Sequence, residues 1–341
     1  MIQSGAYGCI YRPKLNCDGS ISKDVKERDN LVTKLQEDGH PARNEFRIGE
    51  KIRQITDYHL YFLPVEQSCS VTIKRNFKHI QECQAAKHGT RYVLLTMPYK
   101  KGDGIVRYLT NKGAKRREKL SIIFDVYKTL LNSVELLVAH RIVHYDLHTG
   151  NIHYHVDSGA PLLIDFGMSV DMDDITDEDF MIFGPDADWW CLDIHILSLW
   201  KTKDALRDFI DEHVPENHFF HRIFTPDEVE AYKRAAAAQV NRHMQLGKGD
   251  SVKELLSSWE TWDHFSISVM MLKLLDELFG TDCRTNQILE AFVQLLRTNL
   301  HPDPKKRLSI DETKQRFNEL FYTVDDPQVY IDMVRLFKEA A

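Results

Sequence analysis

His144-Tyr145-Asp146-Leu147-His148-Thr149-Gly150-Asn151 and Ile164-Asp165-Phe166-Gly167, whose Asp165 stands 14 positions beyond Asn151, are the two stretches on which the reading of this chain turns. The first follows a predicted long helix, Leu120–Arg141, in which apolar residues recur at i, i+3 and i+4. The second closes an apolar run, Pro161–Ile164, short enough for a buried strand. A third stretch, Gly5-Ala6-Tyr7-Gly8-Cys9-Ile10-Tyr11, lies near the start and sets two glycines three positions apart. Together these stretches hold the parts needed to handle a nucleoside triphosphate. Transfer of a γ-phosphoryl group is mostly positioning and charge neutralisation. It needs a carboxylate beside the acceptor hydroxyl, which Asp146 offers, and hard oxygen ligands for Mg2+, which Asn151 and Asp165 offer. It also needs backbone able to approach the phosphates, and Gly5 and Gly8 carry no Cβ.

Around these stretches the pattern divides. Tyr7–Arg12, Leu31–Leu35 and Arg91–Met97 read as short strands, and Asn44–Ile55 sets Phe46, Ile48, Ile52 and Ile55 at helical spacing. Further on, 226–246, 262–279, 286–299 and 309–321 read as helices. A small β-rich part followed by a larger helical part predicts an α+β chain with two lobes.

In their order, the three stretches resemble the signature set of the eukaryotic protein-kinase family: a Gly-rich loop, a strand lysine, H-R-D-L-x-x-x-N and D-F-G. His301-Pro302-Asp303-Pro304-Lys305-Lys306-Arg307-Leu308-Ser309 resembles that family's late D-P-x-x-R element, whose Arg makes a buried ion pair supporting the activation segment. The resemblance spans most of the chain. It implies a bilobal protein-kinase-like fold, with an N-lobe over 1–97, a hinge at 98–103, a C-lobe over 104–341, and ATP bound between the lobes. It also implies Mg2+, with Mn2+ as a substitute, and transfer to Ser or Thr hydroxyls of protein substrates. Carried over residue by residue, Asp146 aligns the acceptor, Asn151 and Asp165 hold the metal, and Lys34 in Leu31-Val32-Thr33-Lys34 holds the α- and β-phosphates. Glu45 is the expected helix partner of Lys34, with Glu50 and Glu37 as the other choices. Gly5, Ala6, Gly8 and Ile10 would cover the nucleotide, and Met97 would be the gatekeeper. The Pro98 carbonyl would accept from the adenine amine, and the Lys100 N–H would face the ring nitrogen.

The chain also departs from the family. Gln3 replaces the first glycine of the loop, and little chain precedes it to build a first strand, which keeps a pseudokinase binding module among the alternatives. Tyr145 stands where an Arg usually pairs with an activation-loop phosphate, so activity is expected without that phosphorylation. His148 replaces a Lys that lies beside the transferred phosphate. D-L-H-x-G-N also occurs in small-molecule kinases of the aminoglycoside-phosphotransferase type, the second alternative. No A-P-E follows Asp165-Phe166-Gly167. Instead, residues 168–188 carry eight carboxylates and no Lys or Arg, which would suit a basic protein substrate or leave a solvated charge run. Trp262-Asp263-His264-Phe265-Ser266 resembles the start of the central C-lobe helix, which makes Asp263 the expected brace of the catalytic loop, with Asp193 as the other choice. About 190–261 then reads as an insertion. The Gly5–Pro13 opening, Tyr145 and this insertion are similar to Ser/Thr kinases of large nucleocytoplasmic DNA viruses.

Composition bounds the rest. A chain of 341 residues with 43% hydrophobic and 28% charged residues supports a sizeable core and excludes dominant disorder. Net charge of −7 argues against a protein that coats nucleic acid, so no specific nucleic-acid partner is expected. No run reaches the ~18 apolar residues of a membrane span, and the first residues lack the pattern of a secretory signal. The six cysteines, at 9, 17, 69, 83, 191 and 283, read as too scattered for a disulfide framework, and none forms C-x-x-C. A reducing, cytoplasmic location is therefore expected, in the host cell if the chain is viral. Lys112–Lys119 reads as a solvated helix start, and His153 and His155 as surface residues.

Overall fold

The computed structural model describes residues 3–5, 8–73, 80, 83, 85–87, 89–110, 116–176, 179–180, 187–200, 224–280 and 286–322. By contact the chain divides into two units, Met1–Gly104 with Asn151–Asp171, and Ile105–Gly150 with Met172–Ala341. The first is sheet-rich and the second helical, a mixed α/β architecture of the predicted class.

In the first unit a five-stranded antiparallel sheet is built from β1 (Gln3–Gly5), β2 (Gly8–Tyr11), β3 (Leu31–Glu37), β4 (Gln67–Thr72) and β5 (Arg91–Pro98), in the order β1-β2-β3-β5-β4. The two-residue alternation of strands sorts its faces. Cys9, Tyr11, Leu35, Tyr92 and Leu94 pack on one face. Val32, Val93, Leu95 and Met97 pack on the other, with Ile10 and Phe46 against them. Two helices join these strands, α1 (Val25–Asn30) and α2 (His40–Ile52). The latter begins four residues earlier than its apolar spacing predicts, because Gly39 caps it and Pro41 fits its first turn without an N–H to satisfy. A second antiparallel sheet joins Gly102–Gly104, Ile152–His155 and Ala160–Leu163.

The strand missing from the sequence reading exists as β1, three residues long. The cysteine reading requires correction. Cys9 is bonded to Cys83 and Cys17 to Cys69, each with Cα atoms 5.9 Å apart. Scatter along the chain hid this, because the fold brings residues 74 and 52 positions apart to neighbouring places.

The second unit is helical: Arg116–Ala139, Leu192–Leu199, Pro226–Gln245, Trp262–Phe279, Gln287–Thr298 and Ile310–Tyr322 are its main helices. Arg116–Ala139 stops short of Arg141, whose φ of 56° is left-handed and cannot continue a helix. Pro226–Gln245 starts at a capping box between Thr225 and Glu228. Trp262–Phe279 is buried almost throughout and forms the axis of this unit. No helix among the described residues is long and apolar enough to cross a membrane.

Candidate active site

Strand register decides which side chains face α2. Ile10 lies opposite Lys34, Lys34 opposite Leu95, and Val32 opposite Met97. Ile10, Lys34 and Met97 therefore share one face, and Leu95, which sequence reasoning did not single out, sits between the last two. Across this face the Lys34 ammonium donates to Glu45 Oε2 at 2.8 Å and to Asp165 Oδ1 at 2.9 Å. Lys34 is 11 residues from the first partner and 131 from the second. Burial alone would drive Lys34 towards its neutral form, but the two carboxylates override it and hold its pKa above the ordinary value. Glu45, 2% exposed, is pushed up by burial, with Lys34 pulling the other way. Neither Glu50 nor Glu37 is needed as the partner.

The same helix grips the Asp-Phe-Gly segment. Asn44 donates through its amide to the carbonyls of Gly167 (3.1 Å) and Ser169 (2.8 Å). Lys51 and Arg47 pair with Asp171 at 2.5 and 3.5 Å. Phe166 is 1% exposed and meets Phe62 edge to face. Asp165 takes a left-handed backbone, φ 64°, a strained conformation for a non-glycine residue that costs roughly 1–3 kcal/mol. These contacts over-determine the turn and so sustain it. Asn44 and Phe62 carried no signal in the sequence, because a lone Asn on a helix and a lone Phe in a loop have many uses.

In the second unit, Asp263 holds the backbone before Asp146. It accepts from the N–H groups of His144 (2.6 Å) and Tyr145 (2.9 Å). Tyr145 also has a left-handed backbone, φ 70°, and its carbonyl accepts from the Trp190 indole at 2.6 Å. Its ring is 1% exposed, packed against Phe180, Trp190 and Trp262. Where the family has an Arg reaching for a phosphate, this chain has an aromatic ring sealed in the core. Arg307 makes the buried ion pair its motif implies, and the partner is Asp193, at 2.5 Å, with both side chains nearly inaccessible. The guanidinium also donates to the His301 carbonyl and Thr261 Oγ1. Trp190, Cys191 and Asp193, which the sequence reading assigned to the insertion, are thus part of the interior.

The remaining predicted residues fall as follows. Ala6 lies outside the described residues, and Gly5 ends β1 opposite Gly8. A Cβ on Gly8 would come within 2.1 Å of the Leu35 carbonyl oxygen, so strand packing already demands glycine there. Pro98 pairs with Leu31, and the next N–H, from Tyr99, donates to the Asn30 carbonyl at 2.6 Å. The Tyr99 ring carries the Arg12 guanidinium at 3.6 Å, a brace absent from the sequence reading. The Lys100 carbonyl accepts from His153 Nε2 at 3.0 Å, so His153 supports the backbone at that residue rather than only lying on the surface. Burial lowers the His153 pKa. Asn151 is buried, and its carbonyl accepts from the Ile164 N–H at 3.1 Å, which ties it to the residue before Asp165. The structure brings Lys34, Glu45 and Asp165 together; Asn151 shares their unit, and Asp146 belongs to the other.

Asn151 and Asp165 supply the hard oxygens that Mg2+ prefers, and among the described residues no three His, Cys, Asp or Glu groups could cage a metal unaided. Such a pair suits an ion that arrives with nucleotide phosphates as further ligands. Much of the acidic strip is engaged internally: Asp171 with Lys51, Asp173 with Arg141, Asp179 with the N–H and hydroxyl of Thr176, and Asp188 with Lys273. Asp177, Glu178 and Asp186 lie outside the described residues.

The ABC1 atypical kinase-like domain matches residues 57–183, a span that contains Asp146, Asn151 and Asp165 and stops short of Lys34 and Glu45. No curated protein matches the chain. Domains of this kind generally use ATP and Mg2+. A kinase-like domain fits both the mixed α/β architecture and the matched span.

Proposed function

We propose that the protein transfers the γ-phosphoryl group of ATP, in the presence of Mg2+, to Ser or Thr hydroxyls of protein substrates. The observation that supports this most is the simultaneous contact of Lys34 with Glu45 and Asp165. A part-buried ammonium held between two carboxylates from distant parts of the chain costs desolvation and adds little net stability. It is well suited to phosphates, because a polyanion can take over the Lys34 charge while Glu45 keeps the side chain aimed. In this reading Asp165 and Asn151 hold the metal, which neutralises charge on the β- and γ-phosphates when bound. Asp146 orients the acceptor hydroxyl and takes its proton as the new P–O bond forms and the bond from the γ-phosphorus to the β–γ bridging oxygen breaks, releasing ADP. Tyr145, sealed among aromatic rings, leaves no need for an activation-loop phosphate.

His148 in place of Lys, with Gly150 after it, keeps a small-molecule hydroxyl as the second reading of the acceptor. The resemblance to viral Ser/Thr kinases belongs to the same proposal. Labelled transfer decides between acceptors. With γ-labelled ATP, Mg2+ or Mn2+, and myelin basic protein or histone, label is expected on protein Ser or Thr. Label confined to a panel of small alcohols and aminoglycosides would overturn the protein-kinase reading, and label on neither would support a binding module.

A further inference from the structure

A histidine two residues after a catalytic carboxylate would ordinarily be suspected as a rival base. The geometry around His148 assigns it a different part. The backbone N–H of Gly150 points at His148 Nδ1, 3.0 Å away. A backbone N–H can only donate, so Nδ1 must accept, and the ring is neutral with its proton on Nε2. Nε2 in turn lies 3.7 Å from Asp146 Oδ2. That is too long for a hydrogen bond, and close enough that a closure below 1 Å would make one, as catalytic contacts commonly do when substrate arrives.

Three features fix the ring in this pose. A Cβ on Gly150 would sit 2.7 Å from the ring's Cε1 and 2.9 Å from Nδ1, so glycine there leaves room for the imidazole in this pose. The Trp189 ring packs against it at a tilt, its centroid 4.7 Å from that of the imidazole. Trp189 is itself anchored, because Ser266 donates to its carbonyl at 2.7 Å and neighbouring Asp188 pairs with Lys273 of the same helix.

We propose that His148 is a positioning residue for Asp146: a neutral Nε2–H donor, its tautomer set by Gly150, that orients the carboxylate on its Oδ2 side and so fixes how an acceptor hydroxyl meets it. His148 is not the base, since its one lone pair is committed to Gly150. The family's lysine would bring a positive charge to this place; here the contact is a directed hydrogen bond without charge. The inference rests on the phosphotransfer reading above only for the role of Asp146. The tautomer stands without it.

The test combines a spectroscopic and a kinetic readout. In the full-length protein, long-range 15N–1H correlation of the His148 ring is expected to show the Nε2–H tautomer, and Nδ1–H would overturn the proposal. His148→Asn keeps an acceptor for the Gly150 N–H and removes the donor at Nε2. It is expected to lower kcat about tenfold with KM for ATP nearly unchanged. His148→Gln, which reaches the Nε2 position with an amide N–H, is expected to recover part of the loss. Gly150→Ala is expected to displace the ring and match His148→Asn. Wild-type kcat in His148→Asn would overturn the proposal. Asp146→Asn serves as control: if it transfers phosphate like the wild type, the phosphotransfer reading fails, and the ring's tautomer still decides whether His148 is held as described.

Discussion

Asp263 accepts hydrogen bonds from the backbone N–H groups of His144 and Tyr145, residues 119 and 118 positions before it, and so fixes the turn on which Asp146 stands. The carboxylate is fully buried, and burial pushes its pKa up while the two donated bonds pull it down. Both of its oxygens are used, one per N–H.

Asp263→Asn is therefore expected to be costly although nearly isosteric. One oxygen becomes an NH2 that faces an N–H, leaving a buried donor without a partner at a cost of about 1–3 kcal/mol. Urea denaturation measures that loss. Turnover is expected to fall about 100-fold, because Asp146 is displaced, while ATP affinity changes little.

The pair of Arg307 and Asp193 gives a second prediction. Removing one partner, as in Arg307→Met, leaves a buried charge uncompensated and is expected to cost about 3–5 kcal/mol. The double variant with Asp193→Leu is expected to be more stable than Arg307→Met alone. If the two changes simply add in chemical denaturation, the ion pair has no coupling and the assignment fails.

A pH dependence follows from His264. Burial holds its folded pKa down at about 4, and Asn299 donates to its Nε2 at 3.1 Å, which favours the neutral ring. In the unfolded chain the ring takes a proton near pH 6.5. Between these values the unfolded state binds more protons, so this contribution is fully present above pH 6.5 and is lost as pH falls towards 4. The total is at most about 3 kcal/mol. His264→Gln is expected to flatten the stability curve across that window, and an unchanged slope would contradict the assignment.

The cysteine pairs offer a fourth. Peptide mapping without reductant is expected to recover Cys9 joined to Cys83 and Cys17 joined to Cys69. Cys9 is 1% exposed and Cys83 2% exposed, whereas Cys17 lies in an exposed stretch, so mild reductant is expected to open Cys17–Cys69 first. Loops of this size imply about 4 kcal/mol per bond in a chain-entropy account, read as a lower Tm after reduction. Four free thiols in the native protein would contradict the pairing.

How much of this the sequence shows depends on the range of the interaction. Local periodicity places Trp262–Phe279 to the residue and the other long helices to within a few positions. Motif order singles out Lys34, Glu45 and Asp165, and Asp263 over Asp193 as the brace. Long-range partnerships of ordinary residues were not legible. Nothing local marks Asn44 as the clamp on Gly167 and Ser169, Arg12 as the brace on Tyr99, or Cys9 as the partner of Cys83. The partners of the acidic strip were illegible for the same reason. A run of carboxylates looks like an open field until the lysines and arginines that engage it arrive from Arg47, Lys51, Arg141 and Lys273.

The central claim is that this kinase-like domain moves phosphate with Asp146 as its base, and one comparison tests it most directly: kcat for labelled transfer, set beside ATP affinity, in the wild type and Asp146→Asn. The account predicts a fall in kcat of about 100-fold to 10,000-fold with ATP affinity within a few-fold of the wild type. Equal kcat in the two proteins would contradict it.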